Sequence, residues 1–195
     1  SLEILRQPLE DKVIRISRVY GTYDFPADFM LCAAMNPCPC GHYPDMNRCR
    51  CTPAQVMQYL GRISQPLLDR LDLCAEVSPV DFEGLSSGRK GESTQTIRER
   101  VICAQDIQRE RYKIEGIQFN GELSGAQIEK YCKMEKDARQ LLKMAFQNMP
   151  FSARAYHRIL KVARTIADME ATESIHRHHI AEALSYRAFD KKYWN

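Results

Sequence analysis

Four of the chain's eight cysteines fall within fourteen residues, in the spacing Cys38-x-Cys40-x8-Cys49-x-Cys51. The loop between the two pairs, GHYPDMNR, is too polar to build a core of its own, so whatever the thiols do must brace it. Two close pairs across a short loop can bring four thiolates to one point, which suits tetrahedral zinc with bonds near ~2.3 Å. A disulfide between Cys38 and Cys40 is disfavoured, because cysteines one residue apart strain the bridge. Cross-pair disulfides, which need an oxidising compartment, and four reduced, unliganded thiols stay open beside zinc. Thioredoxin-type chemistry wants C-x-x-C and is not matched. His42 lies inside the loop and could replace one cysteine. With four protein ligands and no open position, such a zinc would be structural. The remaining Cys32, Cys74, Cys103 and Cys132 sit in apolar periodic stretches and read as small core residues.

Composition sets outer limits. A chain of 195 residues, 44% hydrophobic and 27% charged, can bury a real core. No apolar run approaches the roughly 18 residues of a membrane span, and no signal-peptide pattern opens the chain, so the expected setting is cytoplasmic, with no membrane partner. The net charge of +3 is too mild to imply nucleic acid by itself, and its positive excess lies beyond residue 80. The chain starts without Met and enters an amphipathic helix in mid-stride (Leu2, Leu5, Leu9), which predicts a fragment of something longer.

Along the chain, Val13, Ile14, Ile16 and Val19 have strand composition. Residues 21–24 are expected to turn a hairpin ahead of an apolar strand over 29–34. Thr52 and Pro53 predict the capped start of a helix running toward Asp72, followed by a short strand in LDLCAEV. EGLSSGRKGEST reads as a linker. Beyond it the spacing predicts helices: a basic one over 94–112, one begun by the capping box of Ser124 and Gln127, and one carrying Leu141 to Met149 and stopped by Pro150. A long one capped by Ser152 runs to Met169, and a last one covers 175–189. His176, His178 and His179, within HRHH, read as solvated surface histidines with no carboxylate in register. The charged run RERVICAQDIQRERY reads as a solvated helix face. The expected architecture is α/β plus all-α, helix dominant, with a boundary near residue 85.

The strings LRQPLED, ISRVY, AAMNPCPCG, CRCTPAQVMQYLGRISQPLLDRLDL and SARAYHRILKVARTIADME together resemble the Mg-chelatase-like AAA+ ATPases of bacteria, the ComM (YifB) family. The resemblance covers nearly the whole chain and implies a C-terminal portion. Residues 1–84 would be the end of a P-loop ATPase core (sensor 1 strand, last core strand, β-hairpin), and residues 85–195 a helical lid bundle. The phosphate loop G-x-x-x-x-G-K-[ST] and an apolar Walker B strand are not in the sequence; GRKGES, residues 88–93, has the wrong spacing.

The resemblance also implies roles. Asn36 matches sensor 1, where an amide orients water at the γ-phosphate. Arg70 matches an arginine finger offered to a neighbouring subunit, a task for which a planar guanidinium suits and an ammonium does not. Arg154 matches sensor 2 at the start of a lid helix, and Arg62 is a weaker candidate at the subunit boundary. A turn-forming Asn, a local ion pair of Arg70 with Asp69 or Asp72, and a surface Arg154 are the plain alternatives. The hairpin matches one that projects into the channel of related hexameric helicases. Its Arg15, Arg18, Tyr20 and Tyr23 are the basic and aromatic mixture that single strands favour, while Asp24 and Asp28 dilute the charge. It reads equally as an ordinary amphipathic hairpin.

The implied function is an ATP- and Mg2+-dependent hexameric ATPase coupled to DNA remodelling or branch migration, completed by its own N-terminal core and braced here by Zn2+. The alternatives are a magnesium chelatase subunit inserting metal into a porphyrin and a non-enzymatic zinc-braced binding module. The cysteine cluster favours the first, because chelatase subunits typically lack it. This chain alone is expected not to hydrolyse ATP, because the groups that wrap the β-phosphate and hold Mg2+ are missing from it. Turnover by a rigorously purified sample, abolished by Asn36→Ala, would contradict that.

Overall fold

The computed structural model describes residues 2–77, 82, 86, 91–149 and 151–187. They form two compact units, one running to Leu71 and one spanning Asp72–Arg187. The linker expected near residue 85 and the ends expected at Pro150 and residue 189 lie largely outside the described residues.

In the first unit a 3-10 turn, Leu2–Leu5, leads into α1 (Arg6–Asp11). That helix stops where Lys12 takes a left-handed φ of 55°. Strands β1 (Val13–Arg18) and β2 (Gly21–Pro26) pair antiparallel, Ile14 opposite Phe25, Arg15 opposite Asp24 and Ile16 opposite Tyr23. This register puts Ile14, Ile16, Tyr23 and Phe25 on one face and the Arg15–Asp24 and Ser17–Thr22 pairs on the other. The turn is therefore Val19 and Tyr20, not residues 21–24, because the cross-strand pairs already use Gly21 to Asp24.

The two core strands expected over 29–34 and in LDLCAEV do not form. Among the described residues the sheet is the two-stranded hairpin alone, and residues 28–36 are exposed apart from Leu31. A strand needs a neighbouring ladder to take its N–H and C=O groups; among the described residues no strand pairs with either segment, and the Cys74 N–H bonds the Tyr186 carbonyl at 3.2 Å instead. Helix dominance holds; the sheet does not extend beyond the hairpin.

Thr52 caps α2 (Pro53–Leu60) with a reciprocal Thr52–Gln55 capping box, as its sequence predicts. The helix does not continue toward Asp72. It ends at Gly61, and Ser64 caps a separate short α3 (Gln65–Leu68). Pro66 has no N–H to extend the first helix, and the Ser64 hydroxyl accepts from the Leu67 N–H instead.

The second unit packs α4 (Thr94–Arg111), α5 (Gly125–Tyr131), α6 (Lys136–Asn148), α7 (Ala153–Met169) and α8 (Arg177–Ser185), with a 3-10 turn at Asn120–Glu122. Ser93, Ser124 and Ser152 cap α4, α5 and α7 through their hydroxyls. Helix α7 is the spine. Ile159, Leu160, Ala163, Ile166 and Ala167 recur every three or four residues and are buried in one cluster with Leu142, Ile128, Ile175 and Ile180. Of the four scattered cysteines only Cys132 joins a core; Cys32 and Cys103 are exposed and Cys74 is half-buried. The surface reading of the histidines fits His178 but not His179, which is fully buried.

A polar cluster sits inside this apolar unit. The Asp168 carboxylate, 1% exposed, accepts from both Arg111 guanidinium nitrogens, from Arg164 Nε at 3.1 Å and from Asn120 Nδ2 at 2.9 Å. Fully buried Arg164 also donates to the carbonyls of Thr172 and Glu173, and the Tyr112 hydroxyl donates to Asn120. Buried charge is tolerated only when paired and bonded in this way. Asp168→Ala strands two guanidinium groups, one of them wholly buried, and is expected to destabilise the chain by about 3–5 kcal/mol in denaturant unfolding. A loss below about 1 kcal/mol, the range of a surface pair, would show that Asp168 does not hold the cluster together.

Candidate metal centre

Tight turns bring the two cysteine pairs together. The Gly41 N–H donates to the Cys38 carbonyl at 3.0 Å with φ at +80°, a left-handed value that glycine adopts without strain. Asp45 then organises the return: its N–H bonds the His42 carbonyl, its carbonyl accepts from the Cys49 N–H at 2.8 Å, and its Oδ1 accepts from the Asn47 N–H at 3.0 Å.

The result is a knot of sulfur. Cys38 Sγ lies 3.4 Å from Cys40 Sγ and 3.8 Å from Cys49 Sγ, Cys40 and Cys49 are 3.6 Å apart, and all four Sγ atoms fall within 4.8 Å of one another. These separations are far beyond an S–S bond of about 2.05 Å. They fit the roughly 3.8 Å edges of a tetrahedron drawn with ~2.3 Å zinc–sulfur bonds. The donor set is thus sulfur only, and His42 is not part of it. The Tyr43 N–H donates to Cys38 Sγ at 3.4 Å and helps aim it.

Cys38 is fully buried against Val56 and Leu60 of α2, with Tyr43 and Tyr59 packed around them. The capped helix therefore forms the floor on which the thiols meet. Their proton affinities are pulled apart. Backbone groups of His42 and Arg50 hold the Cys40 thiol down to about 6, whereas burial, and then bonding to the Cys40 and Cys38 sulfurs, push Cys51 up to about 12. Four adjacent thiols without a cation cannot all ionise. A divalent metal removes that conflict, since coordination deprotonates a thiol outright.

The other residues singled out in the sequence are not part of the thiol cluster. Asn36 is exposed, at the foot of the thiol loop beside Gly41 and not at a strand end. Arg62 lies over the Tyr59 ring, 5.7 Å from its centroid, and with Arg50, Gln55 and Gln58 lines a shallow groove of about 450 Å³ against Cys40 and Cys51. Arg50 and Tyr59 were not singled out in the sequence, although a signal was present: no carboxylate occurs between Asp45 and Asp69. Arg70 is held inside its own unit, its guanidinium paired with Glu10 of α1 and donating to the Pro66 carbonyl at 2.7 Å. The ion-pair partner of Arg70 is thus Glu10 and not the neighbouring Asp69 or Asp72; Asp72 pairs with Arg158. Arg154 is exposed in the first turn of α7.

On the hairpin, Arg15 is bound at both ends of its guanidinium by Asp24, at 2.7 and 2.9 Å, and Lys12 pairs with Asp28 at 2.9 Å. The dilution of charge expected from those two aspartates is therefore direct. Arg18 is exposed, Tyr23 is 55% exposed and Tyr20, at the tip, is 96% exposed.

Residues 1–85 match the family described as magnesium chelatase, subunit ChlI, and residues 91–187 match its C-terminal region. The chain belongs to this magnesium-chelatase-like family, in its ComM and YifB branch. It is 45% identical to the uncharacterized protein YifB of Salmonella typhimurium over 98% of its length, and 42% identical to YifB of Escherichia coli over the same share. Competence protein ComM of Haemophilus influenzae is 45% identical over 96% of the chain. The chain spans 36–37% of the length of these relatives.

Protein purified without added metal is expected to carry close to one equivalent of zinc, and Cys40→Ser to lose most of it. Elemental analysis with thiol titration checks this. Less than about a tenth of an equivalent of any transition metal, with all four thiols freely reactive, would remove the metal reading.

Proposed function

We propose that this chain is the sensor and lid portion of an AAA+ ATPase that couples ATP hydrolysis to DNA remodelling or branch migration. The observation that carries the proposal is the 45% identity to competence protein ComM along 96% of the chain. The four-thiol cluster, which chelatase subunits typically lack, favours this over porphyrin metalation. In this reading zinc is structural and the compartment is a reducing cytoplasm, where thiolates persist.

ATP with Mg2+ supplies the free energy, and its phosphates are met by this chain's residues only in part. Arg154 stands in the first turn of α7, where helix N–H groups and a guanidinium both favour phosphate. Asn36 orients water, and Arg62 stands at the subunit boundary. Arg70 reaches a neighbouring subunit of a homo-hexamer, for which it has to leave Glu10. The remaining N-terminal core covers the apolar hairpin face of Ile14, Ile16, Tyr23 and Phe25, which is 38–55% exposed here. Arg18 and Tyr20 at the hairpin tip contact the nucleic acid.

Arg70 gives the sharpest test, made in the full-length protein. Arg70→Ala is expected to lower DNA-stimulated ATP turnover by about 10³-fold or more, with ATP binding retained and a modest stability loss from the broken Glu10 pair. Arg70→Lys rescues little, because an ammonium lacks the planar fork. Glu10→Gln removes the ion pair but keeps the finger, and leaves turnover largely intact. If both substitutions cost equal stability and neither slows hydrolysis, Arg70 is an ion-pair residue. Turnover stimulated by porphyrin and indifferent to DNA would favour the chelatase reading.

A further inference from the structure

Away from the cysteines, three nitrogen and oxygen ligands converge in the second unit. Glu170 is the C-cap that follows α7, and His178 and His179 lie in the first turn of α8. One carboxylate oxygen, Glu170 Oε2, lies 2.9 Å from His178 Nε2 and 2.9 Å from His179 Nε2, with the two ring centroids 4.0 Å apart. All three donor atoms fall within 4.8 Å of one another. His179 is fully buried, whereas the side chains of His178 and Glu170 are 59% and 46% exposed, so the triad has a rigid root and an open side.

We propose that Glu170, His178 and His179 form a second metal site, for a borderline divalent cation of the zinc class, distinct from the four thiols. Two imidazoles and one carboxylate are a donor set that zinc takes up when a fourth position is left to water. Tetrahedral bonds of 2.0–2.1 Å need donors about 3.3 Å apart, so each of the two Glu170–histidine separations has to open by only roughly 0.4 Å.

The scaffold is already in place. Ala171, with φ at 53°, turns the chain between the helices, and the Thr172 N–H bonds the Ala167 carbonyl at 2.9 Å. Buried Arg164 clamps the same turn through the carbonyls of Thr172 and Glu173. Glu135 Oε1, 3.6 Å from His176 Nε2, adds negative charge near α8's first turn. Ligands held by packed elements lose little entropy on coordination.

The empty state is a hydrogen-bonded one, and loading it has a defined cost. His179 Nδ1 accepts from the His176 backbone N–H at 2.9 Å, which places the ring proton on Nε2, facing Glu170. Metal capture needs the lone pairs of both Nε2 atoms. The His179 proton that faces Glu170 therefore has to leave Nε2 for Nδ1. The His176 N–H then loses its acceptor, so occupancy is coupled to the first turn of α8.

Zinc titration of the metal-free chain tests this, with calorimetry for stoichiometry and nitrogen NMR for the rings. Two equivalents are expected to bind at micromolar or tighter affinity. His178→Ala and Glu170→Gln each lose the second equivalent and keep the first. Cys38→Ser with Cys40→Ser loses the first and keeps the second, with cobalt substituted there giving no thiolate charge-transfer band. Loading the second site moves the His179 proton from Nε2 to Nδ1 and speeds exchange of the His176 amide. A single equivalent in the wild type, a second one that binds only at millimolar zinc, or one that survives both His178→Ala and Glu170→Gln would overturn the site. So would zinc binding that leaves the His179 tautomer unchanged. Failure here leaves the thiol centre and the ATPase reading untouched.

Discussion

The meeting of four sulfurs within 4.8 Å is the constraint around which the first unit's small core is arranged. The buried apolar cluster against the thiols is Cys38, Val56 and Leu60, far too little apolar surface to hold a polar eight-residue loop by burial alone. Closure of that loop costs chain entropy that only a strong local bond can offset, and metal–thiolate bonds are of that order. The position of α2 follows from the same point, because Val56 and Leu60 face the buried sulfur while Thr52 and Gln55 cap the helix one residue after Cys51. Arg50 and Arg62 lie beside the knot, where nearby guanidinium groups would offset the surplus negative charge of four thiolates on a divalent ion.

The second unit solves a different problem. It has ample apolar surface, and its specificity comes from charge placed within it. Asp168 draws on α4, the Asn120 turn and its own helix, so that the surrounding elements register against one buried carboxylate. Arg164 extends that order to the α7–α8 turn, and the turn in turn fixes Glu170 relative to His178 and His179. A polar network of this kind contributes to uniqueness of packing more than to gross stability.

The thiol centre is assembled within the chain. Asn36 and Arg154 are exposed, as residues that meet a ligand or another subunit need to be, while Arg70 is engaged with Glu10. The proposed finger role requires the Arg70 guanidinium to exchange the Glu10 carboxylate for a phosphate across a subunit boundary.

Much of this was legible in the sequence because the determining contacts are local. Thr52, Ser124 and Ser152 announced helix starts, since a cap bonds a backbone N–H only two or three residues away. The cysteine spacing announced a four-thiol point because two short arms and an eight-residue loop leave few other arrangements. The strands over 29–34 and in LDLCAEV were misread, because apolar composition describes what a strand would bury and not whether a neighbouring ladder exists. The partner of Arg70 lies sixty residues away, the ligands of Asp168 come from separate helices, and Glu170 meets His178 and His179 only after a turn reverses the chain. Sequence by itself determined the caps, the helical faces and the thiol set. Tertiary structure alone decided which charges are paired, which histidine is buried and which strand is left without a neighbour, because each depends on segments that meet in space without being near in the chain.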